Sequence, residues 1–178
     1  MLPDWSVELL DATDFPEETG ASFLANALAK ARFGRERVAA AAWVAGEDSG
    51  LEVEALGGAP GIHSARYAGP EASDEANVEK LLRELDGVVE RDRAARYVCE
   101  LVALGPAGEE VRGRGTLAGR IAEMPRGTGG FGYDPVFIPD GETRTVAELG
   151  DEWKARRSHR AQAARTLAAR LGRTESPV

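Results

Sequence analysis

The chain runs ARYVCELVAL over residues 95–104, and this stretch decides the fold that we expect. Apolar side chains fall on both faces of the run, which is typical of a strand buried inside a sheet. A Gly-Pro-Ala-Gly turn follows at residues 105–108, and a more polar strand-like segment occupies residues 111–117. Two strands joined by such a turn predict a β-hairpin. We therefore expect a sheet in which residues 95–104 form a central strand.

Helical and strand-like patterns alternate around this hairpin. Apolar residues recur at helical spacing in three segments, and the first of them has Thr19 as its expected cap: 19–34, 73–85 and a final helix through 161–171. The apolar run 38–44 and the alternating positions 51–55 predict two strands that meet at a turn. Residues 125–139 are rich in Gly and Pro and predict a loop that feeds a short strand. Interleaved helices and strands with a hairpin indicate an α/β fold with a mixed sheet flanked by helices.

Length and composition predict one compact domain over residues 1–178. The chain is 43% hydrophobic and 29% charged, which is enough apolar material for one sizeable core. Neither a membrane-spanning run nor a signal-peptide pattern is present in the sequence, so we expect a soluble, cytoplasmic protein. The single cysteine, Cys99, cannot form an internal disulfide and is interpreted as a buried thiol.

The charge is distributed unevenly along the chain. The net charge is −8, which argues against binding to a nucleic acid polymer or an anionic membrane. From Asp151 onward, seven Lys or Arg stand against three Asp or Glu, so this segment carries +4 and the rest −12. A small basic region on an acidic protein favours a small anionic ligand such as a phosphate ester. The alternative is an Arg-rich terminal helix that is simply solvated.

The first candidate site is the segment Gly46-Glu47-Asp48-Ser49-Gly50. Two carboxylates and a hydroxyl in a tight, glycine-flanked turn suit a hard divalent cation such as Mg²⁺, which takes oxygen ligands and bridges carboxylates to phosphates. A free carboxylate there could also accept a proton from water. A solvated acidic turn is the alternative that this motif alone leaves open.

The second candidate site is the glycine-rich segment from Gly127 to Pro135. Its glycines let a ligand approach the backbone, Phe131 can stack on a base, and Asp134 can hydrogen-bond to a purine edge. The alternative is a tight loop with two core aromatics, Phe131 and Tyr133. The glycine spacing matches neither a dinucleotide fingerprint nor a Walker loop.

The third candidate site lies where the final helix is expected to begin. Lys154 and the run Ser158-His159-Arg160 place cations beside backbone donors, which together form an anion site. His63 lies in a loop without an obvious partner and is not assigned to a site. Arg66 is interpreted as one half of a stabilising ion pair rather than as a ligand contact.

Several segments, taken in order, resemble the inosine triphosphate pyrophosphatase family. They are Thr19-Gly20 with Asn26-Ala27 and Lys30-Ala31, Glu47-Asp48-Ser49-Gly50-Leu51-Glu52-Val53, Leu56-Gly57-Gly58-Ala59-Pro60-Gly61, Ser64-Ala65-Arg66-Tyr67, residues 127–135 and Ser158-His159-Arg160. Each segment alone has modest specificity, but their combination in this order is highly specific. The match extends from residue 19 to about residue 170.

This resemblance implies a fold, a reaction and a set of site residues. The fold is two-lobed α/β with a mixed sheet and the active-site cleft between the lobes, usually in a homodimer. The reaction is Mg²⁺-dependent hydrolysis of ITP, dITP or XTP between the α and β phosphates. Asp48 matches the catalytic acid and, with Glu47, the metal-binding acids. The positions that match substrate-binding residues are Ser49, Phe131, Gly132, Tyr133, Asp134, Lys154, His159 and Arg160.

Two departures from the family pattern leave a second hypothesis open. The family begins with a strand and a Ser/Thr-x-Asn-x-x-Lys loop that grips the triphosphate, and residues 1–10 contain no such motif, so the chain is expected to be N-terminally incomplete. Ala25 also stands where the family has a metal-binding glutamate. A catalytically impaired nucleotide-binding paralogue is therefore the alternative to an active pyrophosphatase. A purely structural module would leave the polar motif residues without a purpose.

Overall fold

The computed structural model describes residues 6–174. The helices and strands, in chain order, are α1 (Phe23–Arg35), β1 (Val44–Val53), α2 (Asp74–Glu84), β2 (Ala94–Leu104), β3 (Glu110–Ile121), β4 (Phe137–Pro139), α3 (Val146–Leu149), α4 (Asp151–Arg157) and α5 (His159–Thr174). Short 3₁₀ turns lie at Glu54–Leu56, Gly61–Arg66 and Glu90–Asp92. No helix within these residues is long and apolar enough to cross a bilayer.

The strands form one sheet in the order β1-β2-β3-β4. The expected α/β class is confirmed, and so is the hairpin: β2 pairs with β3 from Ala94↔Arg120 to Leu104↔Glu110. β2 lies between β1 and β3, as its apolar faces predicted. The expectation of a mixed sheet is corrected, because every strand pair among residues 6–174 is antiparallel.

Residues 46–50 lie inside β1 and do not form the expected turn. Their glycines serve close packing instead. A Cβ on Gly46 would lie 2.2 Å from the Ala27 carbonyl oxygen of α1, and one on Gly50 would lie 2.5 Å from the Gly61 carbonyl oxygen. The strand expected over residues 38–44 is also wrong for residues 38–43, which form turns and bends. Only Val44, the first residue of β1, lies in a strand.

Helix termini follow the sequence signals in two of three cases. α2 begins after Ser73, whose side chain accepts a hydrogen bond from the Ala76 amide, and α5 begins at His159 as predicted. The cap of α1 is Ser22 rather than Thr19. The Ser22 side chain accepts a hydrogen bond from the Ala25 amide, while the Gly20 amide, next to Thr19, donates to the Asn26 side chain instead.

Two packed regions lie along the long strands. At one end, α2 and the loop before β4 cover a large core of Leu51, Val53, Val78, Leu81, Leu85, Ala95, Tyr97, Ile121, Tyr133, Val136, Phe137 and Val146. At the other end, α1 and α5 cover smaller clusters: Ala27, Ala31 and Val102, and Ala103, Val111, Leu167 and Leu171. α5 approaches β3 closely at Gly113 and Gly115, where a Cβ would meet its backbone. The candidate site lies where the two regions meet.

Candidate active site

Strand β1 separates the two predicted acidic residues. Successive side chains of a strand point to opposite faces of the sheet. Asp48 accordingly faces α1, while Glu47 and Ser49 face α5, where both bond to Arg160. The structure therefore does not bring the Glu47 and Asp48 carboxylates together, although they are neighbours in the sequence.

Asp48 is held in a nearly closed polar environment with 6% of its surface exposed. Asn26 Nδ2 donates to Asp48 Oδ2 at 3.1 Å, and Lys30 Nζ lies 3.0 Å from Asp48 Oδ1. Burial raises the pKa of Asp48, and the bonds from Lys30 and Asn26 only partly oppose this shift. A carboxylate with a raised pKa is a stronger base, which suits a group that takes a proton from water.

Glu18 is a functional candidate that the sequence did not reveal. Its Oε1 lies 2.5 Å from Lys30 Nζ, so Glu18 and Asp48 face the same ammonium group. Arg66 holds Glu18 from behind, with Nη1 2.8 Å from Oε2 and Nη2 donating to its main-chain carbonyl. Arg66 is therefore in an ion pair, as the sequence analysis favoured. Burial tends to raise the pKa of Glu18, but its bonds to Lys30 and Arg66 outweigh this and lower it.

Glu18 and Asp48 share one cationic partner, Lys30, and the predicted pair of Glu47 and Asp48 does not. Glu18 and Asp48 both direct a carboxylate oxygen at one cationic group, whereas Glu47 points to the opposite face. Among the described residues, no three His, Cys, Asp or Glu side chains lie close enough to hold a metal. Mg²⁺ is commonly bound by one or two carboxylates together with water and substrate phosphates. Ala25, which stands where the resembled family has a metal-binding glutamate, is exposed on the first turn of α1.

A cavity of about 200 Å³ opens on the other face of β1. The structure brings together at this cavity all eight residues that the sequence predicted to bind substrate: Ser49, Phe131, Gly132, Tyr133, Asp134, Lys154, His159 and Arg160. Ser158, which belongs to the third candidate site of the sequence analysis, also lines the cavity. The lining residues that the sequence analysis did not assign to substrate binding are Gly50, Leu51, Ser64, Ala65, Asp74 and Tyr97. These six residues come from β1, the Gly61–Arg66 turn, the first residue of α2 and β2.

The mouth of the cavity combines an aromatic ring with cations. Phe131 is 56% exposed, which is unusual for a large apolar side chain next to polar groups. Lys154 Nζ lies 4.1 Å from the ring centroid, and the Arg160 guanidinium carbon lies 5.2 Å from it. Lys154 Nζ also lies 2.6 Å from Asp134 Oδ2. The same oxygen accepts a hydrogen bond from the Phe131 backbone amide. The exposed Phe131 ring, whose backbone is bonded to Asp134, is a surface on which a flat heterocycle can stack.

His159 forms the inner wall of the cavity. Its ring stacks on Tyr97 with centroids 4.6 Å apart and an interplanar angle of 8°. Burial, together with the charges of Arg160 and Lys154, lowers the pKa of His159 to about 3, so the imidazole is neutral near pH 7. Its Nδ1 is buried without a hydrogen-bond partner among the described residues. A buried polar atom of this kind favours a ligand that supplies the missing bond.

Two long-range bonds fix the glycine-rich loop over the cavity. The Gly132 amide donates to Asp74 Oδ2 at 2.6 Å, and the Tyr133 hydroxyl donates to the Ser64 carbonyl oxygen at 2.9 Å. Both partners lie more than fifty residues earlier in the chain. Tyr133 is therefore a buried anchor, whereas Phe131 on the same loop remains accessible.

Comparisons with known proteins agree with this arrangement. The Ham1 family model matches residues 1–170. The dITP/XTP pyrophosphatase of Opitutus terrae is 51% identical over 152 residues, covering 85% of this chain and 74% of that protein. The dITP/XTP pyrophosphatase of Bdellovibrio bacteriovorus is 48% identical over 174 residues, covering 96% and 86%. The structure of the Staphylococcus aureus Ham1 protein has a TM-score of 0.82 at 42% identity, covering 97% of this chain and 83% of that one.

Proposed function

The chain belongs to the Ham1 family, and from this premise we infer that it hydrolyses non-canonical purine nucleoside triphosphates. The substrates are ITP, dITP and XTP, and the products are a nucleoside monophosphate and pyrophosphate. Similar proteins from Opitutus terrae and Bdellovibrio bacteriovorus carry the name dITP/XTP pyrophosphatase and are about 50% identical over most of this chain. The reaction removes aberrant nucleotides from the pool.

One observation supports this function most directly. Neighbouring residues of β1 face two different compartments: Ser49 lines the cavity with the exposed Phe131 ring, and Asp48 faces the polar group around Lys30. A base stacked on Phe131 and a triphosphate passing across β1 would bring the phosphates to Asp48. The arrangement thus offers one place for recognition of the base and another, at the neighbouring residue of β1, for chemistry on the phosphates.

Asp48 carries the proton transfer in the proposed mechanism. It accepts a proton from water, and the resulting hydroxide oxygen forms a bond to the α-phosphorus. The bond from the α-phosphorus to the α–β bridging oxygen breaks, and pyrophosphate leaves with those electrons. Lys30 and Asn26 hold the Asp48 carboxylate in place for this step.

We propose Mg²⁺ as the cofactor, with Asp48 and Glu18 as the side chains that hold it. When bound, the ion neutralises charge on the phosphates and so stabilises the transition state. The proposal departs from the sequence-based prediction for Glu47, whose carboxylate bonds to Arg160 on the opposite face of β1.

The cavity also offers a physical basis for choosing the base. Lys154 and Arg160 are hydrogen-bond donors only, so they can satisfy a 6-oxo group but not a 6-amino group. Lys154, whose side chain is only 18% exposed, would lose hydration opposite a 6-amino group without gaining a bond from it, which costs about 1–3 kcal/mol. The cavity is therefore suited to hypoxanthine or xanthine rather than adenine.

The test is pyrophosphate release from dITP, XTP and dATP in the presence of Mg²⁺. We expect kcat/KM for dITP and XTP to exceed that for dATP by about a hundredfold. Phe131→Ala should raise KM for dITP, whereas Met124→Ala, which removes an exposed apolar side chain outside the cavity, should not. Folded protein that binds dITP but releases no pyrophosphate would instead support the impaired nucleotide-binding paralogue. Equal turnover of dATP would contradict the proposed base recognition.

Two further predictions concern the oligomeric state of the protein and its location in the cell. We propose a homodimer, as the family resemblance implies, although one chain supplies every cavity residue named above. Light scattering of the purified chain tests the homodimer by its molar mass. We also propose a cytoplasmic location, which fractionation of the native host checks.

A further inference from the structure

Glu47 has a specific partner on the cavity side of β1. Its Oε1 lies 3.1 Å from Arg160 Nε and accepts a weak hydrogen bond from the Cys99 thiol at 3.5 Å. Cys99 is fully buried in β2, directly opposite Ser49. Its thiol contacts the Glu47 carboxylate from the neighbouring strand. Glu47 is thus oriented by the sheet and bonded to the first turn of α5.

Arg160 is held at two points of its planar guanidinium. Besides the bond to Glu47, its Nη2 donates to Ser49 Oγ at 2.7 Å. Within residues 6–174, Nη1 has no acceptor. The same guanidinium lies beside the Phe131 ring, where a stacked ligand would sit. Holding two edges of the fork leaves the third nitrogen available to an acceptor on the ligand.

The pair contributes little to folding. Both side chains are substantially exposed, at 43% for Arg160 and 36% for Glu47, and exposed ion pairs add little stability. Their geometry matters because a guanidinium fixed before the ligand arrives loses less conformational entropy on binding.

We propose that Glu47 is a positioning residue that fixes Arg160 for nucleotide binding and takes no part in metal binding. The proposal rests on the proposed function only for the identity of the ligand, a 6-oxopurine nucleotide. Glu47 acts through Arg160, so its loss should weaken binding of substrate and product alike. It should leave the step at Asp48, on the other face of β1, intact.

The experiment compares Glu47→Gln with Glu52→Gln. Glu52 is a matched control because it lies on the same strand and pairs with Arg96 outside the cavity. For Glu47→Gln we expect KM for dITP and the Kd of inosine monophosphate, measured without divalent cations, to rise about tenfold, which corresponds to one charge-assisted bond. We expect kcat and direct Mn²⁺ binding, measured by titration calorimetry, to stay within about twofold of wild type. Glu52→Gln should change none of these values.

A double-mutant cycle separates positioning from a general structural effect. In an Arg160→Gln background, Glu47→Gln should cause no further loss of affinity, because the group that it positions is gone. Additive losses, or weaker Mn²⁺ binding with unchanged nucleotide affinity, would overturn the proposal. The monophosphate measurement stands without turnover. If the wild-type chain binds inosine monophosphate but releases no pyrophosphate, the proposed function is contradicted. The Kd values of the variants for inosine monophosphate would still decide the role of Glu47.

Discussion

Single residues in this site have roles that depend on which face of β1 they occupy. The sequence identified Asp48 and Ser49 as candidates and assigned Glu47, with Asp48, to metal binding, because an acidic pair between glycines suits a metal-binding turn. Once the segment is a strand, alternation gives Glu47 and Asp48 separate partners, Arg160 and Lys30. Glu18 was beyond prediction, since it lies in a loop without periodicity and reaches Lys30 only through the tertiary fold.

His159 makes folding stability depend on pH. Its pKa is lowered to about 3 in the folded chain, against an ordinary value of 6.5, so the unfolded state binds more protons between these values. The stabilisation is therefore complete above about pH 6.5 and is lost progressively as the pH falls toward 3. This group alone should lower the free energy of unfolding by about 2 kcal/mol between pH 7 and pH 5.

Urea unfolding at pH 7 and pH 5 checks this prediction. His159→Phe keeps a ring against Tyr97 without a titrating group, so it should lose less stability than wild type over that interval. His63→Asn removes the other, exposed histidine and should behave as wild type. An unchanged pH dependence in His159→Phe would contradict the account of the buried imidazole.

At the scale of elements, the sequence patterns were reliable where side chains alone decide the structure. Apolar faces identified β2 and the α2 stripe, and the hairpin followed from its turn. The continuity of β1 was not predictable, because its two glycines also signal a turn. They are required instead by the backbone of α1 and of the Gly61–Arg66 turn, which lie against the strand. Such contacts with distant elements leave no local signal in the sequence.

The contact between α5 and β3 should be intolerant of a single methyl group. A Cβ on Gly115 would lie 2.0 Å from the His159 carbonyl oxygen, so Gly115→Ala must push the start of α5 away from the sheet. We expect a loss of about 2 kcal/mol or more in unfolding free energy and a higher KM for dITP, because His159 and Arg160 begin that helix. Thermal unfolding and steady-state kinetics measure the two effects.

Thr116→Ala is the matched control for this change. Thr116 is the next residue of β3 and lies exposed on the opposite face, away from α5. The Thr116→Ala substitution should leave KM for dITP unchanged and alter the free energy of unfolding only slightly. A Gly115→Ala variant as stable as wild type would show that α5 can shift at little cost.

At the scale of the whole molecule, the cleft gathers residues that are far apart in the chain. The basic segment after Asp151 supplies Lys154 and Arg160 to the cavity, so part of its charge serves the site rather than a solvated helix. The α/β class was predicted from the sequence, and so were eight of the fifteen residues that line the cavity. The antiparallel order of the sheet was not, because the strand pairing depends on long-range packing that local patterns do not encode.

The central claim is that Asp48 carries the hydrolysis while the cavity on the other face of β1 binds the base. Pyrophosphate release from dITP by Asp48→Asn, compared with wild type, tests it most directly. We predict that kcat falls at least about a hundredfold, the scale expected for a lost general base, while the Kd of inosine monophosphate stays within about twofold. An Asp48→Asn enzyme that turns over dITP at close to the wild-type rate would contradict the claim.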